Sequence, residues 1–303
     1  MEDDIQRTYV FKGNWNIGAP IYVGSNKTIW IDGVLTYTGN DTPHVGGAAF
    51  TPLGAKVHGV FTVRRKADIN VAGRGQLDES DWTSLGQNFA VTNNIVDLNK
   101  PLMDSIKSQP IVANVSFFGT QQGKINIPLS TAQSNPQGNW ARYAPKLKPR
   151  NANGTLGTNG QTIPRIDGIH FSHGWNVVVD GVTMDGALNS IYVSDTYLVD
   201  IKNNFIDNSY FRGVHLHASG HAEVNKAFVR NNLITRNRLD GIDIDSHSAR
   251  YLVEENVVIG SDNRFQIWTE IEAHHNTINN NVGIITLTEA SPVGAGGFQE
   301  NGT

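Results

Sequence analysis

The sequence predicts an all-β solenoid, a chain wound into stacked coils of short strands. Three observations carry that reading. Five segments that alternate apolar and polar residues recur in the second half: Ile169-His-Phe-Ser-His173, Ile191-Tyr-Val-Ser-Asp195, Val214-His-Leu-His-Ala218, Ile242-Asp-Ile-Asp-Ser246 and Phe265-Gln-Ile-Trp-Thr269. Their starts lie 22, 23, 28 and 23 residues apart, a period at which one unit cannot bury its own apolar face and must stack on the next. The units also carry an asparagine followed by two mostly apolar residues, at Asn204, Asn232, Asn256 and Asn276. Asparagine tolerates left-handed backbone, so it suits a tight turn there, and stacked asparagines could form a ladder inside the coil. Enrichment in Val, Ile, Phe and Thr with a period of two selects strands over helices.

In chain order, Pro20 to Gly33 reads as two short strands around a turn. Gly59 to Val63 and Ala67 to Asp78 read as the next coil. Gly73-Arg-Gly75 lacks a third glycine and opens no helix, which sets a nucleotide loop aside. Residues 79–162 break the repeat and are too long for an idle loop. They read as an insertion, with a short helix from Asn94 to Ser108 and an irregular polar stretch from Gln133 to Gln161. Trp140 to Arg150 holds four positive charges and two aromatics in eleven residues. It is either a solvated basic loop or one wall of a groove. As a wall, Arg142, Lys146, Lys148 and Arg150 offer cations to an acidic chain and Tyr143 offers a ring face for a sugar. Residues 163–290 read as about five coils, with residues 1–303 forming one solenoid domain.

Composition narrows the function. The formal net charge of −4 argues against bulk nucleic-acid binding. No run of 18 apolar residues exists, so no membrane-spanning helix is expected. The chain has no cysteine, which excludes disulfides and thiol catalysis and fits an exported protein. No secretory signal is present; Met1-Glu-Asp-Asp reads as an expression start or a trimmed mature end. The expectation is a secreted or periplasmic monomer.

The alternating repeats, their turn asparagines and the phrase Ile69 to Asp78, in which a strand is followed by Gly73-Arg-Gly75 and Asp78, resemble the right-handed parallel β-helix of the pectate-lyase-like superfamily. The resemblance covers roughly residues 20–80 and 163–290. It implies the fold and leaves the reaction open, because that superfamily holds lyases, hydrolases, epimerases, esterases and adhesins.

Stacking converts the repeat alignment into a map of neighbours roughly 4.8 Å apart. If Ile169, Ile191, Val214, Ile242 and Phe265 point inward, the first outward column is His170, Tyr192, His215, Asp243 and Gln266. The second is Ser172, Ser194, His217, Asp245 and Trp268. Three histidines, a tyrosine and two aspartates exceed what solubility needs, so the face reads as an active groove beside the plainer alternative of a polar sheet face. Arg212, Arg238 and Arg264 precede successive strands and are candidates to hold substrate carboxylates. His221 and Lys226 lie in the longest inter-strand segment and are expected at the groove rim.

Two mechanisms fit. β-Elimination on a uronate polysaccharide needs an acid, a base and neutralisation of the sugar carboxylate. The constellation resembles alginate lyases built on this fold. That implies Tyr192 and Lys226 as the proton-transfer pair, His215 and His217 orienting substrate or neutralising its carboxylate, His170 beside them, and Trp268 stacking on a sugar. Inverting hydrolysis would instead use Asp243, Asp245 and Asp195, with Asp240 flanking, at carboxyl separations of roughly 6.5–9.5 Å. The polygalacturonase motifs Asn-Thr-Asp, Gly-His-Gly and Arg-Ile-Lys are missing. A non-catalytic glycan-binding shaft is the third reading. The expected partner is an acidic polysaccharide. No cofactor or metal is expected, with Ca²⁺ on the aspartates as the weaker alternative.

Overall fold

A computed structural model describes residues 1, 3–39, 59–63, 112–128, 166–172, 174–217, 219–220, 227–237, 239–245, 248–260, 265–269, 273–284 and 296–300. Every regular element among them is a strand, and no helix among them is long and apolar enough to cross a membrane.

Eight strands stack in parallel into one sheet: Ile21–Tyr22, Gly59–Val63, Asp167–Ser172, Ile191–Ser194, Val214–His217, Ile242–Ile244, Phe265–Thr269 and Gly296–Glu300. A fourteen-stranded sheet supplies the rest of each coil, and Lys27–Tyr37 is its root. The first half of that strand pairs with Val112–Gly119. That column continues through Gly174–Asp180, Tyr197–Lys202, Ala227–Arg230, Tyr251–Glu254 and Thr277–Asn279. Its second half pairs with Lys124–Ile127, and this column continues through Thr183–Gly186, Phe205–Asp207, Leu233–Thr235, Val257–Ile259 and Val282–Ile284. Arg7–Ile17 lies parallel on the outer side of Lys27–Tyr37. The chain is a right-handed parallel β-helix.

One long strand becomes two because of a corner. Gly181, Asn203, Asn231, Glu255 and Asn280 all adopt positive φ, between 51° and 71°. The residue after each of the last four is a ladder asparagine. Asn204 Nδ2 donates to Asn232 Oδ1, Asn232 Nδ2 to Asn256 Oδ1 and Asn256 Nδ2 to Asn281 Oδ1, each at 2.9 Å. The ladder therefore ends on Asn281, not on Asn276 as the spacing suggested. Asn276 instead accepts from Tyr251 N and donates to Ser248 O, which opens the neighbouring column. Both asparagines precede a strand. Each also follows a left-handed residue, His275 at φ 55° and Asn280 at φ 51°, so what separates them is the column in which each one stacks, which the apolar pattern does not encode.

The interior is filled by the inward residues of all the columns. Ile191, Val193, Val214, Leu216, Ile242, Ile244 and Ile267 are buried as expected. Phe11, Phe61, Phe117 and Phe171 run through the early coils as edge-on ring contacts at centroid distances of 5.3–5.9 Å.

Two expectations need correction. Residues 112–128 fall inside the span read as an insertion, yet they form regular strands of a coil. Asn114 adopts φ 56°, so the inward residues are Val112, Val115 and Phe117. That three-residue step hides the alternation from a period-two reading. In the last coil Ile267, not Phe265, pairs with Ile242, and Trp268 pairs with Asp243. The slip is two residues, so every side chain keeps its face but moves one position along its strand. Gln266 therefore leaves the outward column and Trp268 enters it. The expected helix from Asn94 to Ser108, the stretch from Gln133 to Gln161 and the coil from Ala67 to Asp78 lie outside the described residues.

Candidate active site

On the eight-stranded sheet, the residues alternating with the buried aliphatics form a polar column: Thr62, His170, Tyr192, His215, Asp243 and Trp268, each the register partner of the next. Ser172, Ser194 and His217 form the column beside it. A third column precedes both. Backbone bonds from Gly168 N to Asn189 O, Ser190 N to Arg212 O and Gly213 N to Asp240 O stack Asp167, Asn189, Arg212 and Asp240.

The face is buried, where the sequence led us to expect an open groove. His170, Tyr192, His215, His217, Asp243, Asp245 and Arg212 are all buried; Tyr192 and His217, at 8 %, are the least so. Trp268 is part-exposed. Alternation tells which residues point away from the coil interior, not whether that side meets water.

Burial forces the polar groups to find partners. The Asp167 carboxylate meets His170 Nδ1 at 3.0 Å and accepts from Asn189 N and Nδ2 at 3.0 and 2.9 Å. The Tyr192 ring lies between two imidazoles, 4.8 Å from His170 and 4.6 Å from His215. Arg212 Nε forms an ion pair with Asp243 and lies 3.5 Å from Asp240. Arg212 Nη1 is 3.2 and 3.1 Å from the two ring nitrogens of His215. Near-equal reach to both nitrogens places it over the ring face, which leaves Nε2 directed at Asp245 Oδ2, 2.8 Å away. His217 Nδ1 reaches the same oxygen at 3.4 Å.

This packing separates the histidines. Burial, then the Arg212 charge, pushes His215 down to about 3, so it is neutral. For His217 burial also opposes charge, but the Asp245 hydrogen bond and the charges of Asp245 and Asp195 outweigh it, and its pKa is raised. Burial alone would raise Asp245; hydrogen bonds from His215 and His217 instead hold it well below the usual carboxylate range.

Tyr192, His170, His215, His217, Asp243, Asp245 and Trp268 thus come together. Arg212 joins them in a different role from the one expected. It is held by Asp240 and Asp243, and its column mates among the described residues are Asp167, Asn189 and Asp240. Lys226, His221, Arg238, Arg264, Arg142, Tyr143, Lys146, Lys148 and Arg150 lie outside the described residues. Asp167 and Asn189 went unread in the sequence. Carrying the stacking map three residues upstream of His170 and Tyr192 would have found them.

A right-handed parallel β-helix with a buried His/Tyr/Asp/Arg cluster on one sheet is the class of protein that fold and site define. The family model described as the right handed beta helix region matches residues 151–258. No curated protein and no solved structure matches the chain. A β-helix domain of this kind fits a polysaccharide-active family, and such families include polysaccharide-degrading enzymes.

Proposed function

We propose that the protein is a polysaccharide lyase that cleaves an anionic, uronate-containing polysaccharide of the alginate kind by β-elimination. In that reaction a base takes the proton from C5 beside the uronate carboxylate. The electron pair forms the C4–C5 double bond, and the glycosidic oxygen leaves with a proton. The observation that carries the reading is Tyr192, whose ring lies between His170 and His215 and is less buried than either imidazole. A phenol in hydrogen-bond reach of a sugar linkage serves acid and base chemistry alike. Lys226 is the proposed second member of the pair. His215 and His217 orient the substrate, Trp268 stacks on a sugar, and Arg238, Arg264, Arg142 and Tyr143 contact the polyanion. Arg212 acts as a positioning residue through His215 and Asp243.

The hydrolytic alternative has less support. It needs one carboxyl group that keeps its proton. Asp243 is ion-paired with Arg212, and Asp245 is shared by two imidazoles. Burial of the cluster favours a second reading, a non-catalytic shaft whose polar columns only hold coils together. Incubation with alginate and with pectate separates the readings. A lyase raises absorbance in the unsaturated-uronate band, a hydrolase yields reducing ends alone, and a shaft yields neither. On this reading the protein acts outside the cytoplasm, secreted or periplasmic, and works as a monomer.

A further inference from the structure

We infer that His215, His217 and Asp245 form a transition-metal site of the zinc class, with Asp195 as fourth ligand, that ties three successive coils together. His215 and His217 belong to Val214–His217, Asp245 follows the next strand of the sheet, and Asp195 follows the previous one. One ligand atom from each of His215, His217 and Asp245 lies within 4.8 Å of the others, and all three residues are buried. His215 Nε2 and His217 Nδ1 already converge on Asp245 Oδ2 at 2.8 and 3.4 Å. Tetrahedral ligands at about 2 Å from an ion stand about 3.3 Å apart, so the cluster closes on a cation with small side-chain shifts.

Asp195 is the independent observation. It is buried, and its φ of 47° turns the chain at the strand end. Its amide donates to His217 O at 3.3 Å, which fixes its backbone beside that histidine; its carboxylate lies outside the 4.8 Å cluster and reaches the ion by rotating toward it. Ser194 Oγ donates to Asp195 Oδ2 at 2.8 Å, while Oδ1 is buried with no hydrogen-bond partner among the described residues. A buried carboxylate oxygen without a partner is costly unless a cation or donor meets it.

The donor set selects the ion. Two imidazoles and carboxylates suit zinc and its first-row neighbours, whereas Ca²⁺ takes six to eight oxygens. Arg212 over the His215 face would oppose a cation, but Asp240 and Asp243 flank its guanidinium and offset its charge. A solenoid is stable through its coil-to-coil interfaces, so an ion bridging three coils strengthens two interfaces at once. Metal binding is read without substrate, so the test stands apart from the lyase reading; with an ion bound, His215 and His217 are its ligands and bear on substrate only indirectly, through the Tyr192 ring packed on His215.

The test uses the full chain, stripped with a chelator and titrated with Co²⁺ alone. One equivalent should bind with the visible absorption of imidazole-ligated tetrahedral cobalt. Zn²⁺ should displace it and raise the unfolding temperature, and Ca²⁺ should do neither. His217→Ala should abolish the cobalt band. Asp195→Asn should weaken binding by at least about tenfold and shift the band, and it serves as the decisive variant if His217→Ala does not fold. His275→Ala removes a member of the other histidine pair, in which the Nδ1 atoms of His274 and His275 stand 2.7 Å apart, and should leave the band intact. Failure of the wild-type chain to bind Co²⁺ stoichiometrically overturns the inference. So does a band that survives His217→Ala but is lost in His275→Ala.

Discussion

Two polar columns run along the same helix axis, and they are built on opposite rules. The corner column repeats one residue: Asn204, Asn232, Asn256 and Asn281 make the same bonds in the same geometry at each step. The column on the eight-stranded sheet changes at every step, from His170 to Tyr192 to His215 to Asp243 to Trp268. Repetition serves stacking, because one solution to the turn works in every coil. A column that changes residue at each coil gains nothing for stacking from the change. Its ion pairs and ring contacts are specific to one place along the axis, as a reaction centre requires.

The largest effect that should separate the columns is on stability. Asn232→Ala removes the acceptor for Asn204 N and Nδ2 and the donor to Ile201 O, and so strands buried backbone groups. It should cost about 4 kcal/mol in denaturant unfolding, at about 1–3 kcal/mol per orphaned group. Asp243→Asn leaves the buried Arg212 with one of its two carboxylates and should cost about 3 kcal/mol, the lower end for a broken buried pair. If Asn232→Ala is nearly neutral while Asp243→Asn unfolds the chain, the roles of the two columns are reversed.

A smaller effect is expected where a buried column residue pairs with an exposed partner. Burial would raise the pKa of Asp207, but hydrogen bonds from Arg236 and Thr235, then the charges of Arg236 and Lys124, lower it below the ordinary aspartate value. The folded pKa lies below the unfolded one. The pair therefore stabilises at neutral pH and loses that contribution as pH falls through the folded value. Because Arg236 is partly exposed, Asp207→Asn should cost at most about 1 kcal/mol at neutral pH, with the difference from wild type vanishing in thermal unfolding as pH falls below the lowered Asp207 pKa. Smallest of all, Leu233→Thr on the exposed outer column should change stability by no more than about 0.5 kcal/mol.

The same contrast explains what could be read from the sequence. The fold was legible because Ile191, Val193, Val214, Leu216, Ile242 and Ile244 recur at a period that stacking demands, and the pairing of Tyr192 with His215 followed from it. The coil at 112–128 was not, because the left-handed Asn114 inserts a residue and breaks the alternation. The Phe265 misregister arose because an apolar residue two positions early satisfies the same parity. Burial of the histidines and aspartates was illegible for a different reason: alternation reports direction, whereas covering depends on tertiary contacts. The role of Arg212 was missed because its partners Asp240 and Asp243 belong to the next coil, 28 and 31 residues on.

The central claim is that the changing column carries out β-elimination, and the absorbance of unsaturated uronate formed from alginate tests it most directly. Wild type should produce a steady rise. Tyr192→Phe, which removes one oxygen from the column and should leave the unfolding temperature nearly unchanged, should slow the rise at least about a hundredfold. Absence of the rise with wild type, or an active Tyr192→Phe beside a dead Asp243→Asn or Asp245→Asn, would contradict the account.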